Sequence, residues 1–311
     1  MRLLRAELTR LFARRFTKLM LLAVVAALGI VGTVTASETQ RPAPAEAQRA
    51  EADAAAAQAQ CQQAPQDPNA PPGDSFDCDQ ITSRDYLPYV LNFRDQMPDL
   101  LLMLAGLLAL FGYLVGASVM GAEWSSGEMT NLLLWRPERI RVLLGKLTAV
   151  AFGVFAVGVL LSGAWLGTIW LIARYRGEFG QLTEGFWISL GLDAARGLGL
   201  ALCVALVGAA LASLGRRTAA ALGVVVGYLV VWEIGARIVM SMLRLLPDRY
   251  FLSTYVAAFL LKKVELYECE VFGENCDIVV VPWQSGLAVV ASLTMLIVVA
   301  AAWSFRRRDV A

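Results

Sequence analysis

Glu123, Glu128, Arg136, Arg139, Arg141 and Lys146 crowd into a short polar interruption, Gly121 to Lys146, between two long apolar stretches. The interruption also holds an apolar run, Leu132-Leu133-Leu134-Trp135, which a simple connector does not need. Acid, base and aromatic side chains at this spacing suit docking against another protein rather than bond-making. Gly127 permits a sharp turn. Pro137 suits the first turn of a following helix, because its missing N–H costs nothing there. One short helix is expected near Glu128 to Trp135, lying along the membrane surface. Glu123, Trp124, Gly127, Glu128, Leu133, Trp135, Pro137, Arg139 and Lys146 are the candidate coupling residues. A plain solvated loop would account for the arginines alone.

Several chemistries are excluded. The chain has no histidine, which removes Ser-His-Asp triads, Cys-His dyads and histidine-based zinc sites. Gly145-Lys146 is followed by Leu147, and Ile140 stands where a phosphate-binding loop needs its first glycine. No ATP hydrolysis, cofactor or metal site is therefore expected in this chain. No face combines basic and aromatic residues in the manner of a nucleic-acid binder.

Other polar residues lie inside apolar stretches. Glu233 and Arg237 are four residues apart, a spacing that lets them pair on one helix face. Ionisable groups within a bilayer are functional candidates by default, but a self-neutralised pair serves packing equally well. Asp193 and Arg196 form a similar pair nearer the outer face, where the packing role leads. Of five cysteines, Cys61 and Cys78 fall in one polar segment and Cys269 and Cys276 in another. Local disulfides, Cys61–Cys78 and Cys269–Cys276, are the simplest pairing in an oxidising compartment; cross-pairing stays open. Cys203 reads as a small apolar packing residue.

The elements that must hold these groups are membrane spans. The chain is 58% hydrophobic, 17% charged, with a mean hydropathy of +0.58, a composition that fits a polytopic membrane protein. A span needs about 20 apolar residues. Six stretches qualify: 18–36, 99–120, 145–173, 188–214, 218–243 and 284–305. Residues 1–17 place Leu4, Leu8, Leu11 and Phe12 on one helical face and arginines on the other, an amphipathic surface helix. A secretory signal peptide is the competing reading; the apolar stretch is as long as a full span, which favours a retained helix.

Charge orients the spans. With both termini inside, the inner segments collect fifteen basic residues against five acids, as the positive-inside rule requires. The segment 37–98 reverses this, with ten acids against Arg41, Arg49, Arg84 and Arg94. Its Ala/Gln/Glu run, Ala45 to Gln60, suits a solvated helix, and Asp67 to Gly73 an irregular stretch. Segments 121–144, 174–187, 244–283 and 306–311 complete the plan as inner loop, outer loop, outer segment and inner tail. Pro247 to Leu261 is too apolar for a free loop and too broken for a span, so 244–283 is expected to hold interfacial or re-entrant helices. Gly112/Gly116 and Gly223/Gly227 have the spacing for close helix approach and are read as packing.

The inner loop resembles that of the ABC-2 type permeases, the membrane subunits of bacterial ABC exporters. Gly116 or Gly121, Glu123, Gly127, Glu128, Leu133, Leu134, Pro137, Arg139, Leu143, Gly145 and Lys146 carry the likeness. In that family a threonine usually follows the glycine; here Glu128 and Met129 delay it to Thr130. Gly215-Arg216-Arg217-Thr218 is similar to the family's tight turn between fourth and fifth spans. The likeness covers most of 1–36 and 99–311 but not the long outer segment 37–98.

The resemblance implies an all-α polytopic fold with six transmembrane helices, both termini cytoplasmic, and an amphipathic N-terminal helix. It implies a half-transporter of the type V ABC exporter kind, paired with a second copy or a paralogous permease in a bacterial cell membrane. A separate ATPase subunit, carrying ATP and magnesium, is expected to dock on the inner loop. It also implies an external helical hairpin before the last span. The alternative is a non-transporting membrane sensor or assembly factor that binds an envelope partner through its outer loop. An ion-coupled carrier using Glu233 would call for more unpaired intramembrane acids and a repeated half, which the chain lacks.

Overall fold

The computed structural model describes residues 2–63, 78–129, 131, 138–243, 248–269 and 276–307, with backbone only at 2–5, 84, 267–269, 276 and 277. Leu132 to Pro137, the irregular stretch Asp67 to Gly73 and the side chain of Leu4 lie outside the described residues. Helix α1 is Arg2–Ala13 and α2 is Arg15–Glu38. They are followed by α3 (Pro44–Gln63), α4 (Phe93–Ser125), α5 (Arg139–Tyr175) and α6 (Glu184–Gly215). Then come α7 (Thr218–Met242), α8 (Leu252–Leu261), strands β1 (Lys263–Cys269) and β2 (Cys276–Pro282), and α9 (Trp283–Arg307).

Six of these, α2, α4, α5, α6, α7 and α9, are long and apolar enough to cross a membrane. Each of the six expected spans therefore has its helix, and the fold is that of a multi-pass helical membrane protein. The helices overrun the expected limits. Helix α5 has 37 residues and α4 has 33, roughly 55 and 50 Å of rod at 1.5 Å per residue. A hydrocarbon core is about 30 Å thick, so both must extend well beyond it. The inner interruption is correspondingly shorter than the stretch of polar residues, because Gly121 to Ser125 and Arg139 to Lys146 are already helical.

Two compact units make up the chain. One comprises Met1–Leu28, Pro98–Trp165 and Glu184–Ala311. At its centre α4 crosses α6 with the backbones in contact. A Cβ on Gly112 would lie 2.8 Å from the Ala201 carbonyl oxygen, one on Gly208 would lie 2.5 Å from that of Tyr113, and one on Gly116 would run into that of Ala205. Small residues permit this approach where no hydrophobic effect drives helices together. The expected packing role of Gly112/Gly116 is met here. A Cβ on Gly223 or Gly227 would meet nothing of this chain within 4 Å, and only 6% of the apolar window of α7 is buried within it.

The segment after α7 departs from the expectation of helices alone. Among the described residues it contains a 3-10 turn at Asp248–Tyr250 and one α-helix, α8, followed by an antiparallel β-hairpin. Val264 and Leu266 on β1 alternate with Val279 and Val281 on β2 and pack on Ala258 and Tyr255 of α8, while Ile278 and Val280 face outward. Period-two alternation of β-branched residues is a strand signal, and it overrides the expected helical hairpin. The hairpin register sets Cys269 opposite Cys276; their side chains lie outside the described residues.

The second unit comprises Gly29–Met97 and Leu166–Thr183. Its helix α3 covers the Ala-rich run, as expected. Pro44 occupies its first turn, and Glu46 reaches back to accept from the Ala43 N–H at 2.9 Å, half of a capping box. Cys61 and Cys78 are disulfide-bonded with Cα atoms 5.8 Å apart, one of the two expected local pairings. Arg41 donates to the carbonyls of Gly177 (3.1 Å) and Arg174 (3.1 Å), and the Glu178 N–H donates to the Leu91 carbonyl at 2.8 Å.

The two glycine pairs make opposite predictions. Gly116→Ala should lower the thermal unfolding midpoint of the detergent-solubilised protein, by the equivalent of about 1–3 kcal/mol of overpacking. Gly223→Ala should leave it unchanged or raise it slightly, since alanine is the better helix former.

Candidate functional site

The end of the first unit that carries the α1–α2 junction is organised around one carboxylate. Glu123 lies in the last turns of α4 and is 3% exposed. Its Oε1 accepts from the Arg14 guanidinium at 2.9 Å, and its Oε2 lies 2.7 Å from Nζ of Lys146. Lys146, in α5, is 4% exposed and sits 3.4 Å from both carboxylate oxygens of Glu7 in α1. Arg14 also donates to the Val119 carbonyl at 3.2 Å. Two acids and two bases thus balance in a largely buried site, with the exposed Arg10 3.9 Å from Glu7 at its edge, and they come from α1, the α1–α2 junction, α4 and α5.

Local structure explains why these groups meet. Arg14 is the single non-helical residue between α1 and α2, so the chain bends there and its side chain turns toward α4. The amphipathic helix is held by apolar contacts as well. Leu11 is buried, and Leu8 and Leu11 lie over Gly153 of α5, where the absent side chain makes room. Phe12, expected on the same face, is exposed. Gly121 abuts the first residue of α7, Thr218, whose backbone leaves no space for a Cβ.

Trp124 closes the site on its other side. Its ring meets Phe305 of α9 edge-on, with centroids 5.9 Å apart, and Arg216 lies 5.4 Å over it. Arg216 has φ +57° in the tight turn between α6 and α7. Met120, Met129, Leu143, Leu147, Ala209, Ala212 and Ala221 complete the cluster beneath. Glu123, Trp124 and Lys146 are therefore brought together. Gly127 adopts the turn conformation expected of it, with φ +75°. Glu128, Met129 and Asn131 are helical, but Leu133, Trp135 and Pro137 lie outside the described residues. Arg139 opens α5, and Arg141 pairs with Glu138 on the surface.

The polar residues at the opposite end of this unit are also arranged differently from a set of isolated pairs. Asp193 binds Arg196 at 2.9 Å as expected, but it also takes Lys262 at 3.1 Å, from the residue that ends α8. Lys262 donates to Ser189 at 2.7 Å and adopts φ +74°. Glu233 and Arg237 pair at 3.8 Å, as expected. Glu233 also accepts from Tyr228 at 2.9 Å, and from the N–H and hydroxyl of Ser253 at 3.1 and 2.8 Å. Cys203 is free and packs with Leu200, Phe259 and Val290.

Glu7, Arg14, Tyr228, Ser253 and Lys262 do not stand out in the sequence as site residues. Glu7 carries a signal: it is the one acid among the bases of the N-terminal helix. Lys262 and Ser253 carry none, since their partners are distant in the chain.

No family model matches the chain, and no curated protein matches its sequence.

Removing one partner of a buried ion pair strands the other, a loss of about 3–5 kcal/mol. Lys146→Met should therefore lower the unfolding midpoint sharply, because Glu123 then has Arg14 alone and Glu7 keeps only the exposed Arg10. The double variant Glu123→Gln/Lys146→Met removes one buried charge of each sign and should recover much of the loss. Thermal unfolding in lipid nanodiscs measures both.

Proposed function

We propose that this chain is the membrane-spanning subunit of an ABC exporter of the ABC-2 type. It would sit in a bacterial cell membrane with both termini cytoplasmic, pair with a second copy or a paralogous permease, and take its energy from a separate ATPase subunit that holds ATP and magnesium. The supporting observation is the buried charge cluster of Glu123, Lys146, Arg14 and Glu7. It ties the N-terminal helix to both flanks of the inner loop, so a force on that loop reaches three helices together. A connector has no use for such a cluster, because buried ion pairs are a poor source of net stability and are better suited to fixing geometry.

In this reading the ATPase grips the inner loop through Leu133, Trp135 and the basic side chains around Pro137. Nucleotide-driven closure then shifts α4, α5 and α1 as a unit. Membrane lipid surrounds the spans. The folded, disulfide-bearing outer unit favours the second reading, a sensor or assembly factor that binds an envelope partner there.

Co-purification separates the two. An ATPase encoded beside the chain should be captured by the tagged protein. Trp135→Ala should weaken that capture about 30-fold, the equivalent of about 2 kcal/mol for a central interface aromatic. Arg49→Ala, on the outer unit, should leave it unchanged. Failure to retain any ATPase, with capture of an envelope protein that Arg49→Ala weakens, would transfer the case to the sensor. Orientation is checked separately. A cysteine introduced as Arg216→Cys should react with an impermeant maleimide only after the cells are permeabilised.

A further inference from the structure

The apolar face of α1 is turned onto protein, not onto a bilayer. Leu8 and Leu11 lie over Gly153 of α5, and Leu11 is buried. An amphipathic surface helix binds lipid through that face, so here the chain meets the membrane boundary through other groups. The residues exposed where α1 bends into α2 are Phe12, Arg15, Phe16 and Lys18.

Helix α2 has two distinct sides. At about 100° of turn per residue, Thr17, Val24 and Leu28 fall together, and all three are buried. Arg15, Lys18, Leu19, Leu22 and Ala26 share the opposite side, within about 100° of one another, and all five are exposed. Leu19 and Leu22 are 60% and 69% exposed. This outer side is ordered along its length, with the two cations first and apolar residues after them. Ala26 lies about 17 Å along the axis from Arg15. That is close to the depth of one leaflet, since a hydrocarbon core is about 30 Å thick.

The two cations lack counter-charge within the protein. Among the described residues no carboxylate pairs with Arg15 or Lys18, and the acids of the adjoining cluster are already engaged. Glu123 is held by Arg14 and Lys146, and Glu7 by Lys146 and Arg10. Two uncompensated positive groups at the head of an apolar lane match the form of a phospholipid with a negative headgroup. A zwitterionic headgroup fits less well, because its ammonium would meet no carboxylate on this face. A free phosphate has the right charge but no use for the lane.

We propose that the exposed side of α2 binds an anionic phospholipid, with Arg15 and Lys18 on its phosphate and an acyl chain laid along Leu19, Leu22 and Ala26. The site adjoins the buried cluster, since Arg14, whose guanidinium holds Glu123, directly precedes Arg15. A lipid seated there braces the bend that keeps Arg14 on Glu123. The inference needs α2 to cross the membrane. It does not depend on whether the chain transports anything or docks an ATPase.

Native mass spectrometry of the full chain in detergent, titrated with phosphatidylglycerol or phosphatidylcholine, tests this. A basic residue near an anionic lipid contributes about fivefold in affinity. The first bound phosphatidylglycerol should therefore be held about 25-fold more tightly than phosphatidylcholine. The double variant Arg15→Gln/Lys18→Gln should erase that preference; both side chains are exposed, so core packing is untouched. The control Arg306→Gln/Arg307→Gln removes the same charge from the exposed last turn of α9 and should keep the preference. Equal retention of the two lipids by the native chain would overturn the site. So would equal loss in both double variants, which would mean only diffuse attraction. Displacement of the lipid by millimolar inorganic phosphate would also overturn it, by showing an anion site in which the chain plays no part.

Discussion

Burying a full negative charge is tolerable only when positive charge is placed against it, and that constraint at Glu123 sets the layout of the end of the first unit where α1, α4 and α5 meet. The carboxylate takes a guanidinium from the α1–α2 junction and an ammonium from α5. The ammonium in turn needs Glu7, which fixes the N-terminal helix. Four elements that are far apart in sequence are thereby held in one arrangement. Apolar contacts around Leu11, Trp124 and Phe305 exclude water from that arrangement, which strengthens each pair and raises the penalty for losing one.

The opposite end of the same unit follows a similar rule with weaker partners. There the groups to be satisfied are the backbone N–H groups of α8 and the carboxylate of Asp193. Side chains supply both, from α7 and from the end of α8. The two ends are joined by the crossing of α4 and α6, where glycine and alanine let backbone lie on backbone. Tyr113 adds a hydrogen bond from α4 to the Ala221 carbonyl of α7 at 2.6 Å.

The six spans are legible in the sequence because length and hydropathy suffice to find them. So is the packing role of Gly112 and Gly116. The pairing of Glu233 with Arg237 follows from helical spacing and is met at 3.8 Å, but the spacing does not reveal that Tyr228 and Ser253 share the same carboxylate. The hairpin at Lys263–Pro282 is obscured by its apolar content, which suits an interfacial helix as well as a strand; the alternation of Val264 and Leu266 against Val279 and Val281 is the signal that distinguishes them. Glu123 is marked by its position at the end of a span, but its partners are beyond the reach of sequence. Arg14 and Lys146 look like members of the basic set that orients the chain, since a count of charges carries no information about which of them is buried.

The crossing of α4 with α6 has a mechanical meaning. Gly112 and Gly116 fix the point of closest contact, and α4 runs about nine residues from there to its end at Ser125, and about fourteen in the other direction to Pro98, roughly 14 and 21 Å of rod. A rod held at such a point acts as an unequal lever. Displacing the short arm at Ser125 by about one ångström would swing the long arm at Pro98 by about one and a half, so the position of the fulcrum makes the far end move more than the near end is pushed.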